Sequence, residues 1–196
     1  VTVTGLNANT NYYFRVRAVN SVGVLSGYSS VSPVTKTAPA IPTVSAATNI
    51  TNVAFRANWG SVTGASGYKV DVSTASNFSP ILTTVNVTSG TNTTISNLNP
   101  NTNYYYGVRS YNSSGSESKN STPASQQKTY MSAPSPVWYN NVTASQFQAN
   151  WNEVPGALGY KMDVSTSASF ISYVYQDVTV SPASPIVSTT VSSLNL

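Results

Sequence analysis

At 196 residues the chain has room for one or two domains, and with neither histidine nor cysteine it excludes disulfides, thiolate chemistry and imidazole catalysis. Nine basic and five acidic residues leave a net charge of +4, but the basic ones are scattered singly apart from Arg15 and Arg17, which argues against nucleic-acid binding. Charged residues are only 7% and aromatics 11%, a composition of folded, strand-rich chains rather than disordered ones, and no apolar run approaches the ~18 residues of a membrane span.

In chain order, the first recognisable stretch is "LNANTNYYFRVRAVN" (6–20), a turn followed by strict alternation. It places Tyr12, Phe14 and Val16 on an inner face and Tyr13, Arg15 and Arg17 outside. The proline-bearing "KTAPAIPTV" (36–44) reads as a semi-rigid link, and Pro42 blunts the edge strand that follows. In "VAFRANW" Phe55, Ala57 and Trp59 share one side, with Arg56 and Asn58 on the other. In "GYKVDVS" Tyr68, Val70 and Val72 alternate with Lys69 and Asp71. Turn signals at 63–67, 88–92 and 99–103 separate these runs.

"LNPNTNYYYGVRSYN" (98–112) then repeats the opening stretch, putting Leu98, Tyr104, Tyr106 and Val108 in the core and Tyr105, Gly107 and Arg109 outside. Two inward rings per strand supply the cohesion that a cysteine-free chain takes from packing, since each buries ~150–250 Å². Tyr104 follows a turn, which positions its hydroxyl for a bond back to the turn backbone. A second short link (128–137) carries Pro134 and Pro136. Beyond it Trp138 stands near the first strand of the next stretch, where packing at the junction is expected; Trp151, Tyr160, Met162 and Val164 again alternate with polar residues. No stretch holds a helical period. The expected class is all-β.

Self-similarity organises these pieces. Residues 55–78 align without a gap to 147–170, and Trp59 to Trp151 and Leu6 to Leu98 are both 92 positions apart. Leu98 to Leu194 spans 96, which puts a small insertion near 171–187. A repeat of this length is a whole sandwich domain. The chain therefore divides into the last part of one unit (1–37), a complete unit (38–129) and the first part of another (130–196), with about three strands expected in the first piece and four or five in the last.

At these residues the chain resembles the fibronectin type III family. The resemblance is carried by Trp59 on the second strand, Tyr68 on the third, and Leu98, Pro100, Thr102, Tyr104 and Val108 leading into the sixth. In the first copy it runs through Leu6, Thr10, Tyr12 and Val16, with Ala8 replacing the proline, and in the last through Trp151, Tyr160 and Leu194. It implies an immunoglobulin-like antiparallel β-sandwich of seven strands, strung in tandem in extracellular proteins. The Ser/Thr/Asn-rich style and the "GYxxDVSTxxxF" motif look like bacterial secreted or cell-surface proteins, where such modules serve as spacers, stalks or accessories of polysaccharide-degrading enzymes. The family's integrin-binding Arg-Gly-Asp tripeptide is absent, so integrin adhesion is not carried over.

Candidate sites are few. The carboxylates Asp71, Glu117, Glu153, Asp163 and Asp177 are dispersed, and Asp71 and Asp163 are one position in two copies, so neither a catalytic dyad nor a calcium cage is expected. No catalytic residue, cofactor or metal is assigned. Tyr13, Tyr105, Tyr111 and Trp138 are candidate surface contacts for a sugar or a partner, against the alternative that lone exposed rings are ordinary on β-surfaces. Expected partners are neighbouring modules of the same array, with other copies of the chain or extracellular glycans as further candidates. Three roles stay open: a structural or adhesive stalk, an accessory binding module of a secreted enzyme, and a fibre subunit in which one chain's tail meets another's head. Duplication of the strand before the tyrosine turn argues against that fibre.

Overall fold

The alternation read above becomes regular strands from residue 55 onward. A computed structural model describes residues 1–122, 125–181 and 186–192, and it divides into two units, 1–129 and 130–196. The first unit contains β1 (Asn11–Tyr12), β2 (Thr35–Lys36), β3 (Phe55–Asn58), β4 (Gly67–Ser73), β5 (Thr83–Val87), β6 (Asn92–Ile95), β7 (Asn103–Tyr111) and β8 (Ser125–Lys128). The second contains β9 (Val137–Asn140), β10 (Phe147–Asn152), β11 (Tyr160–Val164), β12 (Tyr175–Val180) and β13 (Ile186–Val191). The ladders between them are antiparallel.

Residues 38–129 form two layers. One is β3–β6, extended by residues 44–48 through bridges Val44–Trp59 and Thr48–Arg56; the other is β5–β4–β7–β8. Each layer turns its apolar alternate residues inward, because a sheet with one apolar face is stable only against a second. Phe55, Ala57, Trp59, Ile95 and Leu98 from one side meet Tyr68, Val70, Val72, Val87, Tyr104, Tyr106 and Val108 from the other, all buried. Tyr106 links the layers: its ring lies 5.6 Å from Phe55, and its hydroxyl donates to the Ser45 carbonyl of the 44–48 segment. Trp59 packs on Tyr68 at 5.4 Å, and the Tyr68 hydroxyl accepts the Val62 amide at 2.9 Å. The Tyr104 hydroxyl accepts the Asn99 amide at 2.9 Å, closing the corner anticipated from the sequence.

In residues 1–37 the same corner recurs, with the Tyr12 hydroxyl accepting the Asn7 amide at 2.9 Å. Only β1 and β2 form regular strands there, with one further bridge, Val19–Leu25, instead of three strands. Tyr12 is half-buried, and the expected core role of Phe14 is not met: Phe14 is 65% exposed and Val16 61%. Alternation assigned them an inner face, but residues 1–37 supply one layer and nothing among them lies across it to make that face a core.

The second unit repeats the first half of the sandwich. Trp151 packs on Tyr160 at 5.4 Å, and the Tyr160 hydroxyl accepts the Val154 amide at 2.7 Å. Trp151 is buried, whereas Tyr160 is half-buried, because β11 pairs with β12 alone among the described residues while β4 has both β5 and β7 beside it. The insertion is also visible. Val164 pairs with Tyr175 and Val72 with Thr83, 92 positions apart, but past a bulge Tyr160 pairs with Val180 and Tyr68 with Val87, an offset of 93. One extra residue thus sits in the bulge beside Asp177, whose φ is 55°, and the others fall between β12 and β13. Leu194 lies outside the described residues.

Burial separates two phenylalanines that alternation alike assigns to an inner face. Phe55→Ala is expected to cost about 3–5 kcal/mol in urea unfolding of the chain, whereas Phe14→Ala stays within about 0.5 kcal/mol, as for other exposed positions.

Candidate functional site

The outer face of β4 and β7 gathers the charges that look dispersed in the sequence. Antiparallel register sets Lys69 opposite Arg109 and Asp71 opposite Gly107. Asp71 is 1% exposed and accepts four hydrogen bonds: from Arg109 Nε at 2.8 Å and Nη2 at 3.1 Å, from Thr84 Oγ1 at 2.7 Å and from Asn120 Nδ2 at 2.9 Å. Arg109 Nη1 also donates to Glu117 Oε2 at 2.5 Å, and Lys69 pairs with the same carboxylate. The hydrogen bonds to Asp71 raise the Arg109 pKa above its usual value, with burial opposing and the two carboxylate charges assisting. The charged form is therefore favoured, and its contribution would be lost only as pH climbs past the arginine range.

Gly107 is what lets the cluster close. A Cβ there would lie 2.7 Å from Asn120 Oδ1 and 2.9 Å from the Phe78 ring, so a bare backbone admits both side chains beside Asp71. The carboxylate is thus sealed and fully bonded, with no lone pair facing a cleft from which to take a proton. Among the described residues no three of His, Cys, Asp or Glu gather as a metal site.

Residues 38–127 match the family profile described as the fibronectin type III domain. This stretch belongs to the fibronectin type III family. An alignment of 135 positions that covers 63% of this chain is also 33% identical to chitinase A1 of Niallia circulans, spanning 18% of that enzyme. Among solved structures, a two-domain fibronectin type III segment of chicken tenascin aligns at 15% identity over 79% of this chain and 84% of that one, with a TM-score of 0.48. A computationally redesigned β-sandwich protein aligns at 28% identity over 47% of this chain and 93% of its own, with a TM-score of 0.37.

The candidate contact residues fall both inside and outside the fibronectin type III stretch. Tyr13 is 63% exposed in the stretch before the domain, and Trp138 is 36% exposed on β9 opposite Asn150. Tyr105 and Tyr111 are half-buried on β7. Tyr111 covers backbone: a Cβ on Gly67 would come within 2.3 Å of its hydroxyl. An apolar cleft of about 400 Å³ lies in the second unit along Val137, Trp151, Tyr160, Met162 and Phe170, and includes residues of β11, which pairs with β12 alone among the described residues.

A repeated serine ladder is the feature that the sequence reading missed. Ser26, Ser29 and Ser32 each accept, through the hydroxyl, the amides of Ala18, Val16 and Phe14 at 2.8–3.1 Å, and each returns its own amide to the same residue's carbonyl. Ser118 and Ser121, 92 positions on, do the same for Ser110 and Val108. One chain advances two residues per rung and the other three, a bulge repeated at each step. Serine at every third position, facing alternate positions of the tyrosine strand, was the available signal.

Ser121→Ala leaves the buried Val108 amide without its partner and is expected to lower stability by about 1–3 kcal/mol. On the ionic cluster, Asp71→Asn is expected to cost a similar amount in the same unfolding assay, and Glu117→Gln less than about 1 kcal/mol, because its pairs are partly exposed and weaken in salt.

Proposed function

We propose that the chain is a non-catalytic segment of a secreted or cell-surface protein, in which tandem fibronectin type III modules space other parts apart. In this reading residues 1–37 close one module, 38–129 form a complete one and 130–196 begin a third, with neighbouring modules as the partners. The observation that carries it is the fate of the polar groups. The sealed carboxylate, the corner tyrosines and the serine hydroxyls are all consumed in holding backbone and strands, and the tyrosine and serine bonds recur in the same geometry 92 positions apart. A module whose polar side chains serve its own frame has shape as its product.

The identity with chitinase A1 favours a second reading, in which the modules belong to a secreted polysaccharide-active enzyme and contact its substrate. Tyr13, Tyr105, Tyr111 and Trp138 are the rings that would stack on sugars.

Sedimentation of the folded chain with insoluble chitin or cellulose, together with an assay for release of soluble sugars, separates the two. The spacer reading expects no retention and no release. Retention that Tyr105→Ala or Trp138→Ala abolishes would move the assignment to the accessory module.

A further inference from the structure

The link between residues 1–37 and the complete module is bonded on both sides along its length. The Lys36 carbonyl accepts Ser116 Oγ at 3.0 Å, the Thr37 carbonyl accepts Asn112 Nδ2 at 3.0 Å, and the Ala40 carbonyl accepts Ser110 Oγ at 2.6 Å. From the other side, Asn9 N–H donates to the Ala38 carbonyl at 2.8 Å and Thr37 N–H to the Thr10 carbonyl at 3.0 Å. Pro39, which has no N–H to satisfy, is buried between these contacts. A flexible tether leaves such groups to water.

Asn112 is the centre of the arrangement. It is 2% exposed, and its two amide atoms do different work. Oδ1 accepts the amides of Ser114 at 3.1 Å and Ser116 at 3.0 Å, fixing the turn after β7, while Nδ2 reaches the link. The turn in turn sets where Ser116 Oγ meets Lys36. A second contact braces the far side: the Asn9 side chain lies so close to Gly64 that a Cβ there would fall 1.7 Å from its Nδ2. The turn-fixing half of the arrangement recurs at Asn20, whose Oδ1 accepts the amides of Val22 at 3.1 Å and Val24 at 2.9 Å.

We infer that residues 36–40 form a locked joint, in which Asn112, Ser116 and Ser110 fix the orientation of the preceding segment on the module, and that the turn at 112–116 is the latch. This deepens the spacer reading and rests on it. A spacer made of locked joints transmits direction as well as distance.

The chain has no native cysteine, so paired spin labels can be placed cleanly at Tyr13→Cys and Ser89→Cys, both exposed, across the joint. Pulsed dipolar spectroscopy on the full chain should give one narrow distance distribution. Asn112→Asp keeps acceptor oxygens for the turn and removes the donor to Thr37; combined with Ser116→Ala it should widen the distribution roughly twofold, the motion expected of an unlocked link. Gly64→Ala should shift its mean by displacing Asn9. A control pair within the module, Ser89→Cys and Lys119→Cys, should stay unchanged in every variant. A wild-type distribution that is already broad, or variants that leave it unaltered, would overturn the inference. So would broadening of the control pair, because it would assign these side chains to the module's own fold. The distance width reports on the joint and retention on polysaccharide reports on the spacer reading, so either can fail without the other.

Discussion

Backbone groups that leave the strand ladder at corners, edges and links must find partners, because an unpaired group away from water costs about as much as a lost hydrogen bond. In this chain uncharged side chains supply most of them. Tyrosine hydroxyls close the corners at Asn7 and Asn99. Thr37 Oγ1 donates to the Asn7 carbonyl and accepts the Thr10 amide, and Thr129 Oγ1 does the same for Asn99 and Thr102. Serines carry the edge and asparagines the turns. The repeat is therefore one of chemistry: the same atoms meet the same atoms after 92 residues.

Within that frame the aromatic core gives the sandwich its thickness. Tyr106 belongs to both systems, packing its ring on Phe55 and sending its hydroxyl to the opposite layer. The equivalent residue in the first copy is Phe14, which has a ring without the hydroxyl and no opposing layer among residues 1–37. Comparing the two shows what the second layer contributes: it turns an apolar stripe into a buried one and gives the inward hydroxyl a destination.

Much of the fold was legible from alternation, since period two is a property of the backbone itself. It identified the inner faces of β3, β4, β7, β10 and β11. Whether an inner face is covered is not a local property, which is why Phe14 was misplaced. Asp71 was hidden for a related reason. It stands at an outward position among polar neighbours, and only the pairing of β4 with β7, 38 residues further along, shows that Arg109, Asn120 and Thr84 close over it. The serine ladder escaped because its step of three against two belongs to no regular element, although its residues are plain in the sequence once the partner strand is known.

The neutrality of these bonds has a physical consequence. Dissolved ions screen charge pairs strongly and dipolar hydrogen bonds little, and a chain without histidine lacks the side chain that ordinarily titrates between about pH 5 and 8. Corners, edges and the link at 36–40 are all held by groups that neither brine nor mild acid alters. At those places the backbone is held by bonds that depend little on the salt around them.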